Sequence, residues 1–287
     1  MKTGGKTFSR GVPLQQKFPD DMLFGDTPRI GITFFGSGSR GNAALLHLSG
    51  SFYLVDAGLS CRKIETGLER CGISLDNLDG ILVTHGHGDH IQGLGMVLKK
   101  KSLPVFATSG TFSEISDAGI IVKNPVLIDC KREFELGKTR VWPFPVPHDA
   151  RDPIGLRFES GGHTLSLATD LGHISPRVLD YLIDTDILCL ESNYDEEMLS
   201  NCRYPSWLKS RIRGPFGHLS NNGIRGVLSR FKRKLVSLVM VHISEEANTP
   251  ALSMEKVSPL LSNNEFCTTR VHIAKQDAAS PTFLSRE

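Results

Sequence analysis

The sequence has little of what marks a membrane, secreted or zinc-ribbon protein. Its six cysteines form no C-x-x-C pair, which argues against a zinc ribbon and against a dense disulfide framework. No run of about 18 apolar residues occurs, the length from which a membrane-spanning helix is inferred. The segment MKTGGKTFSRGVPLQQ contains no apolar stretch of the kind found in a secretion signal. We therefore expect reduced thiols, no membrane partner and a cytoplasmic location.

An excess of charge of one sign is also missing. The 287 residues include 33 Lys and Arg against 31 Asp and Glu, so the net charge indicates no class of partner. The hydrophobic fraction of 39% is enough for a normal buried core. Basic side chains cluster only locally, at residues 99–101, at residues 230–234, and at Lys209, Arg211 and Arg213. Solvated helix faces are the simplest interpretation of the first two clusters.

Short apolar strands alternate with helical patterns over residues 29–275, which we predict to form one domain. Residues 1–28 are polar and rich in Gly and Pro, and predict a flexible arm, while residues 276–287 are predicted to be a C-terminal tail. No period of about 20 to 50 residues recurs, which excludes solenoids and propellers. The alternation predicts an α/β (α+β) fold in which helices cover two mixed sheets. The clearest strands are GITFFG, AALLHL, SFYLVDAG, ILVTH, TLSLATD, DILCLES and LVSLVMVHI, with RVHIAK as a last edge strand.

One segment, THGHGDHIQGL, places three of the ten histidines and an aspartate within six consecutive positions. Imidazoles and carboxylates at this density are typical ligands of divalent metals. His85 and His87 are two residues apart in the extended part after a buried strand, so both rings project to one side and can share one ion. Asp89 and His90 lie where a helix begins, so we expect them to point toward a second ion about 3.5–4 Å from the first.

Further ligands are expected where a strand ends beside a turn, because open sheets present their chemistry at the ends of strands. The residues that meet this condition are Asp56, His148, Asp170 and His242. The remaining histidines that we considered lie inside a strand or beside polar turns, and we expect them to be structural: His47, His163 and His272.

The motif HGHGDH, preceded by Asp56 and followed in order by His148, Asp170 and His242, resembles the metallo-β-lactamase superfamily. The resemblance covers residues 30–275 and implies a four-layer αββα sandwich with a dinuclear metal centre. Members of this superfamily hydrolyse β-lactams, thioesters, lactones and phosphodiesters. The fold alone therefore does not choose the substrate.

A closer resemblance is to the YycJ/WalJ group of bacterial metal-dependent exonucleases, which are distantly related to ribonuclease Z. It is carried by GSGSRGNAALL, FYLVDAGLSCRKI, ILVTHGHGDHIQGL, PHDARDPIGLRF, LATDLGHIS, LCLESNYDEEML, YPSWLKSRIRGPFGHLSN and VHISEEANTP, which occur in the same order. That group usually has Glu and Ser where this chain has Gly86 and Gly88. Neither position supplies a metal ligand, so the departure concerns loop rigidity and substrate contacts.

The resemblance implies a role for each candidate ligand. Asp170 would bridge the two ions, and Asp56 would orient a ligand imidazole from behind, as such carboxylates commonly do. Manganese or zinc is expected, with iron as a further possibility for nitrogen and oxygen ligands. The implied ligand sets are His85, His87 and His148 for one ion and Asp89, His90 and His242 for the other.

Two further segments are candidates for phosphate binding. In GHLSN, His218 can donate a proton, and Ser220 and Asn221 stand at the start of a predicted helix whose free N–H groups suit an anion. Ribonuclease Z has a similar His-Ser element, although Ser220 and Asn221 would equally serve as a helix cap alone. In SGSRGN, Ser39 and Arg40 belong to a Gly-rich loop that can hold phosphate or simply make a hairpin turn.

These assignments predict a metal-dependent phosphodiesterase that acts on nucleic acid, by resemblance a 5′-to-3′ DNA exonuclease. Asp89 would accept the proton of the attacking water. Lys209, Arg211 and Arg213 would line the path of the nucleic-acid backbone, unless they form one more solvated helix face. The alternative is a hydrolase of small thioesters or lactones with the same ligands. A metal-stabilised binding module without turnover is disfavoured, because no ligand is missing.

Overall fold

The computed structural model describes residues 29–261 and 268–285, and the predicted N-terminal arm lies outside this range. Within it, two sheets of seven strands each form the centre of the protein. The first sheet has the order β14-β1-β2-β3-β4-β5-β6 and the second the order β13-β12-β11-β10-β9-β8-β7. Both are mixed, because β1 to β3 and β7 to β10 pair antiparallel while β3 to β6 and β10 to β13 pair parallel.

The strands agree closely with the apolar runs of the sequence. The first sheet contains β1 (Ile30–Gly36), β2 (Ala43–Leu48), β3 (Ser51–Val55), β4 (Gly80–Leu82), β5 (Pro104–Ala107), β6 (Asn124–Leu127) and β14 (Phe283–Leu284). The second contains β7 (Phe134–Leu136), β8 (Thr139–Pro145), β9 (Ile154–Ser160), β10 (His163–Ala168), β11 (Ile187–Glu191), β12 (Ser237–Val241) and β13 (Arg270–Ile273).

Helices cover the outer face of each sheet. Those on the first sheet's side are α1 (Cys61–Arg70), α2 (Gly88–Ile91), α3 (Leu94–Lys100) and α4 (Ser109–Asp117). The later helices are α5 (Pro176–Leu182), α6 (Glu196–Asn201), α7 (Ser206–Arg213), α8 (Asn221–Leu228) and α9 (Pro250–Leu261). No helix in the described ranges is long and apolar enough to cross a membrane.

Alternation of side chains along the strands divides the core into layers. In β3, Leu54 packs with Ile64 of α1 on the outer face, whereas Val55 packs with Phe158 and Ile32 between the two sheets. Successive residues of a strand point to opposite faces, so one apolar strand serves two interfaces. A third cluster fills the space between the second sheet and α5, α8 and α9. The predicted four-layer αββα sandwich is therefore confirmed.

Residues 276–285, which lie in the predicted C-terminal tail, include a strand. The strand β14 pairs antiparallel with β1, and Ser280 and Ser285 are buried against the same strand. The side chain of Ser280 accepts a hydrogen bond from the N–H of Phe34 at 2.9 Å. The backbone N–H groups at the outer edge of a sheet have no partners within the sheet. This short polar segment supplies hydrogen-bond partners to that edge of β1. Its few apolar residues gave no strand signal.

Leu54 and Leu127 make a matched pair for testing the layered core. Leu54 is fully buried, whereas Leu127 on the edge strand β6 is 68% exposed. We expect Leu54→Ala to lower the free energy of unfolding by about 2–5 kcal/mol, because it leaves a cavity. The same change at Leu127 should stay within about 0.5 kcal/mol. Urea unfolding followed by circular dichroism measures both, and equal losses would contradict the layer assignment.

Candidate metal centre

The candidate ligands converge at one edge of the two sheets because most of them directly follow a strand. Asp56 follows β3, Asp170 lies shortly after β10, and His242 follows β12. All three have left-handed backbone conformations, with φ of 59°, 55° and 53°. Such angles are uncommon outside glycine, although Asp and His tolerate them better than most residues. Strain of this kind clusters at functional sites, where the surrounding contacts hold it in place.

The first group of imidazoles consists of His85, His87 and His148. One ring nitrogen of each lies within 4.8 Å of the others. Nδ1 of His148 donates to the carbonyl oxygen of Gly217 at 3.0 Å, so Nε2 faces the group and lies 3.2 Å from Nδ1 of His87. Burial, together with the nearby His90, lowers the pKa of His85 well below its ordinary value. This direction favours the neutral form of His85, which is the form of imidazole that binds metals.

Asp170 lies between this group and a second one. Its Oδ2 is 3.2 Å from Nε2 of His90, and its Oδ1 is 3.0 Å from Nδ1 of His242 and 4.0 Å from Nε2 of His148. The carboxylate of Asp89 lies 3.6 Å from Nε2 of both His90 and His242. The structure thus brings all seven predicted ligands together, with Asp170 in the central position.

Two buried nitrogens test whether metal ions fit this arrangement. Nε2 of His85 and Nε2 of His242 have no hydrogen-bond partner among the described residues. Buried polar atoms in proteins are nearly always satisfied, and imidazole nitrogens beside carboxylates are suitable ligands for divalent metals. The donor set therefore fits metal ions.

Asp56 contacts Nδ1 of His90, the ring nitrogen that does not face Asp170. Its Oδ2 accepts from Nδ1 of His90 at 2.8 Å, and its Oδ1 accepts from the N–H of Thr84 at 2.8 Å. This contact directs Nε2 of His90 toward Asp170. Burial acts to lower the pKa of His90, but the charges of Asp56 and Asp170 raise it well above its ordinary value. Asp56 therefore lies where the resemblance implied an orienting carboxylate.

Glu191 is a functional candidate that the sequence analysis missed. It is fully buried at the end of β11, and its Oε1 lies 2.8 Å from Nδ1 of His218 and 3.0 Å from Nδ1 of His242. Its Oε2 accepts from the N–H groups of Leu171 and Leu219. Burial acts to raise the pKa of Glu191, but the adjacent His218 charge and the hydrogen bonds lower it overall. The signal was present, because Glu191 ends a buried strand as the other candidates do.

His218 lies at the open side of the cluster. Because Nδ1 contacts Glu191, Nε2 is the ring atom left for a substrate. The ring is partly exposed, and its centroid lies 5.3 Å from that of His148 and 5.2 Å from that of His242. A proton donor at this position can reach a group bound beside the imidazole ligands.

The Gly-rich loop contacts the cluster through residues other than Ser39 and Arg40. Ser39 is exposed, and the guanidinium of Arg40 pairs with the carboxylates of Glu245, at 2.7 Å, and Asp277. The amide of Asn42 instead lies 3.3 Å from the Asp89 carboxylate and 3.0 Å from Nε2 of His90. Asn42 therefore contacts two of the candidate ligands, and its neighbours Ser39 and Arg40 stay predictions as phosphate contacts.

The predicted phosphate contacts before α8 have different environments. Ser220 is the N-cap residue of α8 but makes no side-chain cap hydrogen bond. The side chain of Asn221 is buried and bonds to Ser192 and Asn248, at 2.6 and 3.0 Å. Its N–H donates to the carbonyl oxygen of Tyr194. Asn221 is therefore turned into the protein and not toward the cluster.

Of the basic residues on α7, only Arg211 is linked to the metal centre. Its Nε donates to Asp149 at 2.6 Å, and the other oxygen of Asp149 lies 3.5 Å from Nε2 of His148. Lys209 and Arg213 bond instead to Ser200 on the neighbouring helix α6.

Glu114 fills the space beside Gly86. A Cβ on Gly86 would come within 2.2 Å of the Cβ of Glu114, whose carboxylate accepts the N–H of Gly86 at 3.0 Å. A Cβ on Gly88 would meet nothing within 4 Å. Glu114 lies on helix α4, which the sequence patterns did not predict. Its carboxylate lies beside the motif, whereas the WalJ and YycJ group usually has a Glu within the motif.

Comparison with known proteins identifies the family. A family model described as the beta-lactamase superfamily domain matches residues 52–243. Exodeoxyribonuclease WalJ of Streptococcus pneumoniae serotype 2 is 33% identical over 228 residues, which cover 77% of this chain and 84% of that protein. Exodeoxyribonuclease YycJ of Bacillus anthracis is 32% identical over 237 residues, covering 80% and 88%. The chain belongs to the β-lactamase superfamily.

The solved structures agree with this assignment at the level of the fold. The metallo-β-lactamase fold protein YhfI from Bacillus subtilis has a TM-score of 0.67 and 15% sequence identity, with 88% of this chain and 99% of that chain covered. The predicted superfamily, the resemblance to WalJ and YycJ, and the prediction of a hydrolytic enzyme are therefore confirmed.

Replacement of His87 is expected to reduce the metal content of the protein. His87→Ala removes one nitrogen from a three-imidazole group, so metal retained after dialysis should fall and turnover should be lost. His163→Ala, at a histidine outside the cluster, should change neither. Metal analysis of the purified variants measures this. Full metal content and full activity in His87→Ala would show that the group is not a metal site.

Glu191→Gln is expected to weaken metal binding through the orientation of His242. Loss of a carboxylate behind a ligand imidazole typically reduces metal affinity about 10- to 100-fold. The exposed Glu197 on α6 provides the matched control Glu197→Gln, which should leave affinity unchanged. Competition with a chelator measures the affinity independently of turnover. Unchanged metal affinity in Glu191→Gln would show that Glu191 does not orient His242 for metal binding.

Proposed function

We propose that this β-lactamase superfamily member is a 5′-to-3′ exodeoxyribonuclease that uses two divalent metal ions. The observation that carries the proposal is the His218–Glu191 pair. Nδ1 of His218 lies 2.8 Å from Glu191 and 3.5 Å from the central Asp170, so His218 would be a proton donor beside the candidate ligands. The names of WalJ and YycJ, both exodeoxyribonucleases, support DNA as the substrate.

The residues that would hold the ions are the seven predicted ligands around Asp170. Manganese or zinc, with iron as a further candidate, would supply a water of lowered pKa and neutralise charge on the phosphate. Support for two ions comes from the separate groups of close donor atoms: His85, His87 and His148 form one, His85, His90 and Asp170 a second, and Asp170, Glu191, His218 and His242 a third.

The protein's own groups would manage the two protons of the hydrolysis. Asp89, which is partly exposed, would accept a proton from the attacking water as the new bond between oxygen and phosphorus forms. Nε2 of His218 would donate a proton to the leaving oxygen as the old bond breaks, while Glu191 keeps Nδ1 protonated and the ring oriented. Arg211 beside Asp149 would attract the anionic strand toward this centre.

Substrate choice is tested by offering the wild-type protein several substrates in parallel. Single-stranded and duplex DNA labelled at either the 5′ or the 3′ end, matched RNA and a small thioester are incubated with manganese, zinc or magnesium. We expect early release of the 5′ label as a mononucleotide, with slower change at the 3′ label. Thioester hydrolysis without cleavage of any nucleic acid would establish the alternative hydrolase and refute the nuclease.

His218→Ala separates proton donation from metal binding. Because His218 is outside the seven ligands, we expect metal content and folding to persist while strand cleavage slows by roughly 10²–10⁴-fold, the usual effect of a positioned acid. His163→Ala is the control and should cleave at the wild-type rate. Cleavage by His218→Ala at the wild-type rate, with metal content unchanged, would exclude His218 as the donor.

A further inference from the structure

Two aromatic side chains are exposed on the segment that leads into His218. Trp207 is 68% exposed and Phe216 is 58% exposed, whereas the other large hydrophobic residues exposed in the described ranges are not aromatic. Aromatic side chains normally bury most of their surface, so their exposure at the edge of an active site indicates a contact surface.

Phe216 is held firmly in place relative to the catalytic cluster. It lies in a turn closed by the N–H of Gly217, which donates to the carbonyl oxygen of Gly214 at 2.9 Å. The next residue, Gly217, contacts a candidate metal ligand, because its carbonyl oxygen accepts a hydrogen bond from Nδ1 of His148. On the other side, His173 bonds to the carbonyl oxygen of Pro215 at 2.9 Å. Phe216 therefore presents its ring two residues from His218 on a supported turn.

Trp207 lies on the face of α7 that carries Arg211. The two residues are four apart, so their side chains are neighbours on the helix. Arg211 bonds to Asp149, which lies 3.5 Å from Nε2 of His148. Trp207 therefore lies about one helical turn, roughly 5 Å, along α7 from Arg211.

We propose that Phe216 and Trp207 are stacking residues for the bases of a single strand, so that the substrate strand is unpaired at the end being cleaved. The inference rests on the proposed nuclease function and defines its substrate more closely. Exposed aromatics combined with a cation are the elements that bind single strands without sequence preference, because every base has a face that can stack. In a duplex, neighbouring pairs cover both faces of every internal base and only the terminal pair has an open face, so stacking by both Phe216 and Trp207 would select a separated strand.

The position of Phe216 predicts which nucleotide it contacts. Being two residues from the proton donor His218, it would stack on a base next to the cleaved phosphate. Trp207 lies near the start of α7 and would contact a different base. A small thioester has no planar base for either ring to contact, so this surface distinguishes a polynucleotide substrate from a small one.

The test compares Phe216→Ala with Phe216→Tyr on single-stranded DNA that has either normal or abasic nucleotides at its 5′ end. We expect Phe216→Ala to raise KM by roughly 5- to 150-fold, the range of one stacked base, with little change in kcat or metal content. Phe216→Tyr keeps the ring and should restore KM. On abasic DNA, wild type and Phe216→Ala should have equal KM values. Ile121→Ala, at a residue 79% exposed outside this segment, is the control.

Fluorescence provides a readout that does not depend on cleavage. A 5′-terminal 2-aminopurine in DNA with a cleavage-resistant phosphorothioate linkage should be quenched by wild type and by Phe216→Tyr, but not by Phe216→Ala. Trp207→Ala should weaken binding of long oligonucleotides while leaving dinucleotide binding unchanged.

Failure of the stacking inference and failure of the nuclease proposal would give different results. If wild type cleaves DNA but Phe216→Ala has an unchanged KM and unchanged quenching, the stacking inference is wrong and the nuclease function stands. An equal defect on normal and abasic DNA would make Phe216 a structural residue or part of a protein-binding surface, which also overturns the inference. If wild type cleaves no nucleic acid, both proposals fail.

Discussion

The central position of Asp170 is the constraint on which the rest of the site depends. Its carboxylate contacts His90 and His242 and faces His148, and it is almost completely buried. Burial acts to raise the pKa of Asp170, but the charges of the adjacent His242 and His90 lower it well below its ordinary value. A buried carboxylate is costly without such partners, so the imidazoles and the carboxylate must occupy the edge of the sheets together.

Each sheet contributes one further carboxylate that fixes an imidazole. Asp56 follows a strand of the first sheet and holds His90, whereas Glu191 ends a strand of the second and holds both His218 and His242. Each also accepts backbone N–H groups, which fixes its own rotamer. The relative placement of the two sheets therefore sets the distance between the metal ligands and the proposed proton donor.

Sequence patterns predicted the main strands because short apolar runs bounded by turns report directly on burial. They did not predict α4, whose segment SGTFSEISD buries only Thr111 and Ile115. They also did not predict β14, a two-residue strand whose pairing depends on β1, far away in the sequence. Glu191 ends a strand, but its importance depends on two histidines that follow it at distances of 27 and 51 residues.

The sequence by itself determined the superfamily and predicted the candidate metal ligands, because ligand chemistry requires particular residue types in a compact motif and at strand ends. Only the tertiary structure decided what surrounds them. It brought Glu191 to His218, placed Asn42 beside Asp89, turned Asn221 inward and paired Arg40 with Glu245 and Asp277. These contacts join residues distant in the chain, and they follow from sheet packing and side-chain direction, which a local pattern does not contain.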